Sequence, residues 1–312
     1  MLQRYPKTLL EFEHCFRTEE ACRAYVFRLR WPDGFRCPRC GHEQAWQTGR
    51  GLWQCGNCGK DVAITAGTIF AGSKLPLRIW FRAVWCITNQ KSGISALGLQ
   101  RALGLGSYET AWTLLHKLRR AMIRPGQEQL SGKVEVDETI VGGRRKSKDG
   151  RRPKRYLDKA LVVVAAEVRG DIIGRIRLRQ VSEPSKDKLM GFVKDVVAPG
   201  SEVITDGWWG YYGLAKKGVT HEPTVTTGKG EEIHGSVLRR VHRVAALLKR
   251  WLLGIHQGRV SREQLDYYLD EFTFRFNRRS SASRGKLFYR LLEQAVAIKP
   301  VRYRDIVKCG HL

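Results

Sequence analysis

Val134-Glu135-Val136-Asp137-Glu138-Thr139, running on to Val141-Gly142-Gly143, reads as a short alternating strand that delivers an acid to a glycine turn. A period of two puts Val134 and Val136 on one face and Glu135, Asp137 and Thr139 on the other, so Asp137 is held on rigid backbone. A second stretch repeats the arrangement: the β-branched run Val203-Ile204-Thr205 ends in Asp206-Gly207-Trp208. Taken singly, Asp-Gly is an ordinary turn dipeptide. Two acids at the ends of two strands, in a strongly basic chain, suggest a divalent-metal site.

The 312 residues are enough for two or three domains with a sizeable core. A formal net charge of +26 and a pI near 10.1 imply a large anionic partner. Nucleic acid is favoured over membrane because no long apolar anchor accompanies the charge. The longest apolar run, Ala160 to Ala166, is too short to span a bilayer and fits a buried strand. The first residues, Met1-Leu2-Gln3-Arg4-Tyr5-Pro6, lack the apolar core of a signal peptide. The expected location is the cytoplasm, with neither a membrane nor a small molecule as partner.

Of the eight cysteines, four form two C-x-x-C knuckles, Cys37/Cys40 and Cys55/Cys58, one hairpin's length apart. Each knuckle offers two sulfurs and the hairpin closes the sphere, so the spacing predicts one zinc ion in a four-thiolate site. Such a site is closed to substrate and therefore structural. His42 is expected as an exposed loop residue, with a substitute zinc ligand as the alternative, and Cys15 and Cys22 as packed thiols.

After the ribbon, helices are expected from Leu75 to Thr88, Ile94 to Leu103 and Tyr108 to Met122, with a glycine turn at Gly104-Leu105-Gly106. Ala111, Leu114, Leu115 and Leu118 would face inward, leaving His116, Lys117, Arg119 and Arg120 outside. Helix, glycine turn and a second helix with a basic end is the layout of a helix-turn-helix, with an ordinary helical hairpin as the alternative. Past Arg124-Pro125-Gly126 the pattern changes to strands, interrupted by a basic run from Gly143 to Arg155 that cannot bury itself. Three strands, an amphipathic helix over Ser185–Val197, the Asp206 strand, a short strand near Val219 and then helices give the order of a ribonuclease-H-like α/β domain. That layout sets the first and fourth strands side by side, so Asp137 and Asp206 would meet.

From Gly235 to Gly254 the chain reads as helix, with His242, Ala245, Ala246, Lys249 and Leu253 on one stripe. Imidazole is an acceptable ligand for magnesium or manganese. His242 is thus a candidate third ligand, and Lys249, two turns on, a candidate phosphate contact.

With these motifs the chain resembles bacterial insertion-sequence transposases of the DDE superfamily that place a zinc ribbon before the catalytic domain. The likeness rests on the four cysteines, on Val136-Asp137-Glu138-Thr139 with Gly142-Gly143, on Thr205-Asp206-Gly207-Trp208, and on a closing block. That block contains Leu247-Leu248-Lys249-Arg250, Gly254-Ile255-His256-Gln257, Tyr268-Leu269-Asp270-Glu271-Phe272 and Phe274-Arg275-Phe276-Asn277-Arg278-Arg279. His242 stands where the usual pattern has glutamate, and Glu231 and Glu232 are alternative third ligands.

The resemblance implies an α/β fold: a ribonuclease-H-like domain, its mixed sheet flanked by helices, behind a zinc ribbon and a helix-turn-helix. The expected boundaries are a helical segment at 1–34, the ribbon at 35–72, the helix-turn-helix at 73–126, the catalytic domain at 130–300 with a basic arm at 143–156, and a tail at 301–312. It further implies two Mg2+ or Mn2+ ions held by Asp137, Asp206 and His242, cleavage at terminal inverted repeats, and joining of 3′-hydroxyl ends to target DNA. Double-stranded DNA would be gripped by Lys117, Arg119, Arg120, Arg144, Arg145, Lys146, Lys148, Arg151, Arg152, Lys154, Arg155, Lys249, Arg250, Arg275, Arg278 and Arg279, with Phe272, Phe274 and Phe276 in the core. Paired ends imply at least a homodimer. The rival expectations are a non-catalytic DNA-binding regulator derived from such an enzyme and a structure-selective nuclease of the same fold.

Overall fold

The computed structural model describes residues 6–123, 126–142, 159–224, 238–258, 260–281 and 283–307. The chain divides into two compact units, Met1–Arg124 with Ser281–Ile306, and Pro125–Ser280 with Val307–Leu312.

The first unit opens with α1 (Leu9–Cys15) and α2 (Glu19–Arg30), each started by a threonine, Thr8 or Thr18, whose hydroxyl accepts a first-turn N–H at 3.2 Å. The antiparallel ribbon follows as β1 (Ala45–Gln47), β2 (Trp53–Cys55) and β3 (Asp61–Val62). Next come α3 (Leu77–Asn89), α4 (Ala96–Leu103) and α5 (Tyr108–Ala121). Pro76 cannot cap α3 with a side chain, and Glu19 does so from α2, accepting from Leu77 N and Arg78 N at 2.9 and 3.0 Å.

The core of this unit is aromatic. Phe12 stacks on Trp85 with ring centres 4.8 Å apart, and Phe16 meets Phe81 edge-on at 4.9 Å. Phe288 completes the cluster at 5.2 Å from Phe12. It comes from a helix, Arg284–Ala297, that the sequence places inside a catalytic domain ending at 300. Residues 281–306 instead belong to the first unit, because the apolar face carrying Phe288 and Leu292 has its partners on α1 and α3. Cys22 is fully buried as expected, which pushes its thiol up to about 12, but Cys15 is exposed.

The second unit holds a five-stranded sheet: β4 (Lys133–Val141), β5 (Ala160–Arg169), β6 (Ile172–Val181), β7 (Glu202–Thr205) and β8 (Thr220–Pro223), in the order β6-β5-β4-β7-β8. The first three strands run antiparallel, whereas β7 pairs in parallel with β4 and β8 in parallel with β7. This mixed order is consistent with a ribonuclease-H-like sheet. One face carries Val134, Val136, Val163 and Ala165 against Leu189, Phe192 and Val193 of α6 (Lys186–Val196). The other carries Val162, Val164 and Ala166 against Val241, Val244, Leu248 and Leu252 of α7 (Arg239–His256) and against Leu269, Phe272 and Phe276 of α8 (Leu265–Asn277). With helices on both faces, β5 is apolar without alternation. The outer strand β6 is covered: Asn277 Oδ1 accepts from Ile176 N at 2.7 Å and its amide donates to Ile176 O at 3.1 Å. Two further α-helices among the described residues are α9 (Arg284–Ala297) and α10 (Tyr303–Val307). No helix among the described residues is long and apolar enough to cross a membrane.

Candidate active site and zinc centre

Alternation along β4 divides its acids between the two faces of the sheet. Glu135 and Asp137 face α7, and Glu138 faces the other layer, where the Tyr211 hydroxyl donates to its Oε1 at 2.5 Å. The β4–β7 register aligns Val134 with Val203 and Glu135 with Ile204. Continued by two residues on each strand, it sets Asp137 beside Asp206, with neighbouring strands about 4.8 Å apart. Asp206 lies just past the end of β7, where its Oδ1 accepts from Trp208 N at 3.0 Å and closes the turn that Gly207, at φ +79°, allows.

The third element is α7. It packs through Val241, Val244, Leu248 and Leu252 and leaves His242, Ala246, Lys249 and Leu253 on an exposed stripe, with Ala245 on the buried side. Nε2 of His242 lies 3.1 Å from Oδ2 of Asp137, so residues far apart in sequence meet as an acid–imidazole pair. The Asp137 side chain is 20% exposed and that of His242 49%. Burial is the main cause that raises the Asp137 carboxyl above its usual value, and the Asp206 charge adds to it; the Glu138 N–H and His242 work against both. Burial likewise pushes Glu138 up to about 7, helped by the charges of Asp137 and Asp206 and opposed by the Tyr211 hydroxyl. Among the described residues, only the four ribbon cysteines form a set of three or more possible ligands whose ligating atoms all lie within 4.8 Å of one another. Asp137 and His242 are thus paired, and the ligating atoms of Asp206 do not lie within 4.8 Å of both.

The cysteine site is tighter. Cys37 Sγ and Cys58 Sγ are 3.7 Å apart, and Cys40 Sγ and Cys55 Sγ 3.6 Å. A tetrahedron of ~2.3 Å zinc–sulfur bonds has edges of about 3.8 Å, so the four thiols fit zinc as they stand. Burial opposes ionisation of Cys37, yet the N–H groups of Cys40 and Arg39 outweigh it and lower the thiol to about 6. His42 is half-buried and is not among the four.

Several expected DNA contacts are corrected. His116 and Arg119 are buried inside the first unit, at 0% and 1% exposure, with Arg119 Nη1 3.4 Å from His116 Nε2. The fourteen residues of α5 turn both toward the core, leaving Arg120 exposed and Lys117 half-buried. Arg275 is bound to the buried Glu271 at 2.7 Å. Arg279 lies over the Phe276 ring at 4.1 Å and donates to the Phe276 and Gly174 carbonyls, so its hydrogen bonds fasten α8 to β6. Arg278 lies over Phe274 at 4.2 Å. Lys249 and Arg250 are exposed on α7. The arm bearing Arg144, Arg145, Lys146, Lys148, Arg151, Arg152, Lys154 and Arg155 lies outside the described residues, as do Glu231 and Glu232.

Comparison with known proteins finds likenesses to both parts of the chain. Residues 129–277 match the ISXO2-like transposase domain, and residues 17–61 the transposase zinc-ribbon domain. Both matched stretches are thus similar to domains of insertion-sequence transposases. A protein in the transposable element ISH50 of Halobacterium salinarum is 26% identical over 276 residues, covering 83% of this chain and 91% of its own length. The transposase domain spans the whole sheet together with α7 and α8, and hence Asp137, Asp206 and His242. The ribbon domain contains all four cysteines. Sequence reasoning assigned no part to Glu135, Glu138 or Tyr211; the shared face of Glu135 and Asp137 was readable, but nothing local reveals which helix end Glu135 reaches.

Proposed function

We propose that this chain is a DDE-type transposase that binds the terminal inverted repeats of its own element, cleaves the DNA there and joins the freed 3′-hydroxyl ends to target DNA. The observation that carries the reading is the meeting of Asp137, from β4, with His242, from α7, beside the strand end that bears Asp206. Two carboxylates and an imidazole form an oxygen-and-nitrogen donor set suited to Mg2+ or Mn2+. The raised Asp137 carboxyl fits as well, since a cation would offset the burial that raises it and the smaller repulsion from Asp206. Two such ions, held by Asp137, Asp206 and His242, would supply activation of the attacking oxygen and stabilisation of the departing one.

The rest falls to the chain's own side chains. Asp137 and Asp206 supply the negative charge that fixes the place of the reaction at the middle of β4 beside the C-terminal end of β7. Lys249, on the exposed stripe of His242, presents an ammonium to a DNA phosphate. α4, the left-handed Gly104 at φ +62° and α5, capped by Ser107, serve as a helix-turn-helix whose Lys117 and Arg120 approach the duplex. Lys249, Arg250, Arg278 and the basic arm hold the backbone, and two copies act on paired ends.

The test is incubation of the purified protein with its element's ends, with and without Mg2+ or Mn2+. Cation-dependent nicks and joined products are expected. Cation-independent binding with no cleavage under any condition would leave a DNA-binding regulator. Cleavage of branched DNA regardless of repeat sequence, without joining, would make the chain a nuclease.

A further inference from the structure

Glu135 is 1% exposed and stands two residues before Asp137 on the same face of β4. Its carboxylate accepts from Arg240 N at 2.7 Å, from Val241 N at 3.1 Å and from Arg240 Nη1 at 3.0 Å. These backbone groups are the orphan donors of the first turn of α7. The residue before that turn, Leu238, makes no side-chain cap. Glu135 does the capping from another element, and it adds a full negative charge where the helix dipole favours one. The Arg240 guanidinium also donates to the Gly170 carbonyl, tying the same turn of α7 to the β5–β6 connection. The next residue of α7 is His242, whose imidazole meets Asp137. One face of one strand thus grips the helix twice, by its backbone at Glu135 and by its imidazole at Asp137.

We infer that Glu135 is the positioning residue of the site: by capping α7 it fixes the height and rotation at which His242 faces Asp137, and so sets the affinity of the site for divalent cations. The inference rests on the proposed reading of Asp137, Asp206 and His242 as cation ligands. The side chain touches neither cation nor DNA and acts through the helix it holds. Groups that orient metal ligands from behind typically change metal affinity by about 10–100-fold when removed.

The experiment measures Mn2+ binding to the full-length, zinc-loaded protein by electron paramagnetic resonance, beside thermal melting and binding of end DNA. Glu135→Gln keeps size and one acceptor oxygen but places a donor amide against donors. The expected result is an Mn2+ Kd weakened by at least about tenfold, with end-DNA affinity unchanged. A merely structural cap would lower the melting temperature and leave the Mn2+ affinity of the folded protein as it was, and that outcome overturns the inference. Asp137→Asn is the control: if it also binds Mn2+ as the wild type does, the reading of the metal site fails instead. Should Glu135→Gln not fold, Glu135→Asp retracts the charge by one methylene. Weakened Mn2+ binding in the folded Asp variant supports the inference, and wild-type affinity contradicts it.

Discussion

The cysteine site of the first unit and the acid–imidazole site of the second are built by opposite routes. Each zinc knuckle is a local turn, so two short segments of one ribbon bring all four sulfurs within 4.8 Å of one another. The second site draws Asp137, Asp206 and His242 from two strands and a helix, and closes only the Asp137–His242 pair at 3.1 Å. The difference is electrostatic as well as topological. Backbone N–H groups of the ribbon lower the Cys37 thiol despite its burial, whereas burial, with the Asp206 charge adding to it, raises the Asp137 carboxyl. The zinc site is set by neighbouring turns of one ribbon, and the candidate catalytic site by elements that only the folded sheet and helix bring together.

This contrast can be broken by substitution. The largest effect is expected at Asp137: Asp137→Asn should lower cleavage and joining about a thousand-fold or more while end binding survives, as gel assays of both steps would report. Cys37→Ser with Cys40→Ser should unfold the ribbon, since structural zinc contributes on the order of 10 kcal/mol, and should lower DNA affinity while Mn2+ binding by the second unit persists. His242→Ala should cost about a hundredfold in cleavage rate, with His242→Glu recovering part of it. A wild-type rate for the alanine variant would move the third ligand elsewhere.

Smaller effects sharpen the comparison. Arg120→Ala should reduce the salt slope of end binding by about one, while Arg119→Ala should chiefly lower the melting temperature, because one side chain faces solvent and the other is buried. The least effect is in pH dependence. Glu138 rises on folding from its ordinary 4.5 to about 7, so its stabilising contribution is complete below 4.5 and is lost as pH rises through 7. The melting temperature of the cation-free protein should fall across that window, and Glu138→Gln should flatten the fall.

What was legible in the sequence follows the same division. The knuckles, the alternation of Val134–Thr139 and the apolar run of β5 are local patterns, and each reads directly as its element. The neighbourhood of Asp137 and Asp206 needed a topology, which the strand order supplied. Burial of Arg119 was not legible, because a basic residue at a helix end looks solvent-facing until its packing partners are known. Arg275 and Arg279 misled for the same reason: Glu271 and the β6 carbonyls that engage them are specified only by the folded chain. The place of Phe288 in the first unit was hidden by its distance in sequence from Phe12 and Trp85.

The proposed chemistry stands on Asp137, Asp206 and His242 holding divalent cation. Anomalous diffraction from crystals of the protein with end DNA and Mn2+ tests it most directly. Manganese bonded to both aspartates, with His242 in its coordination sphere, is the expected result. Manganese bound elsewhere, with Asp206 still closed on the Trp208 N–H and Asp137 on His242, would contradict it.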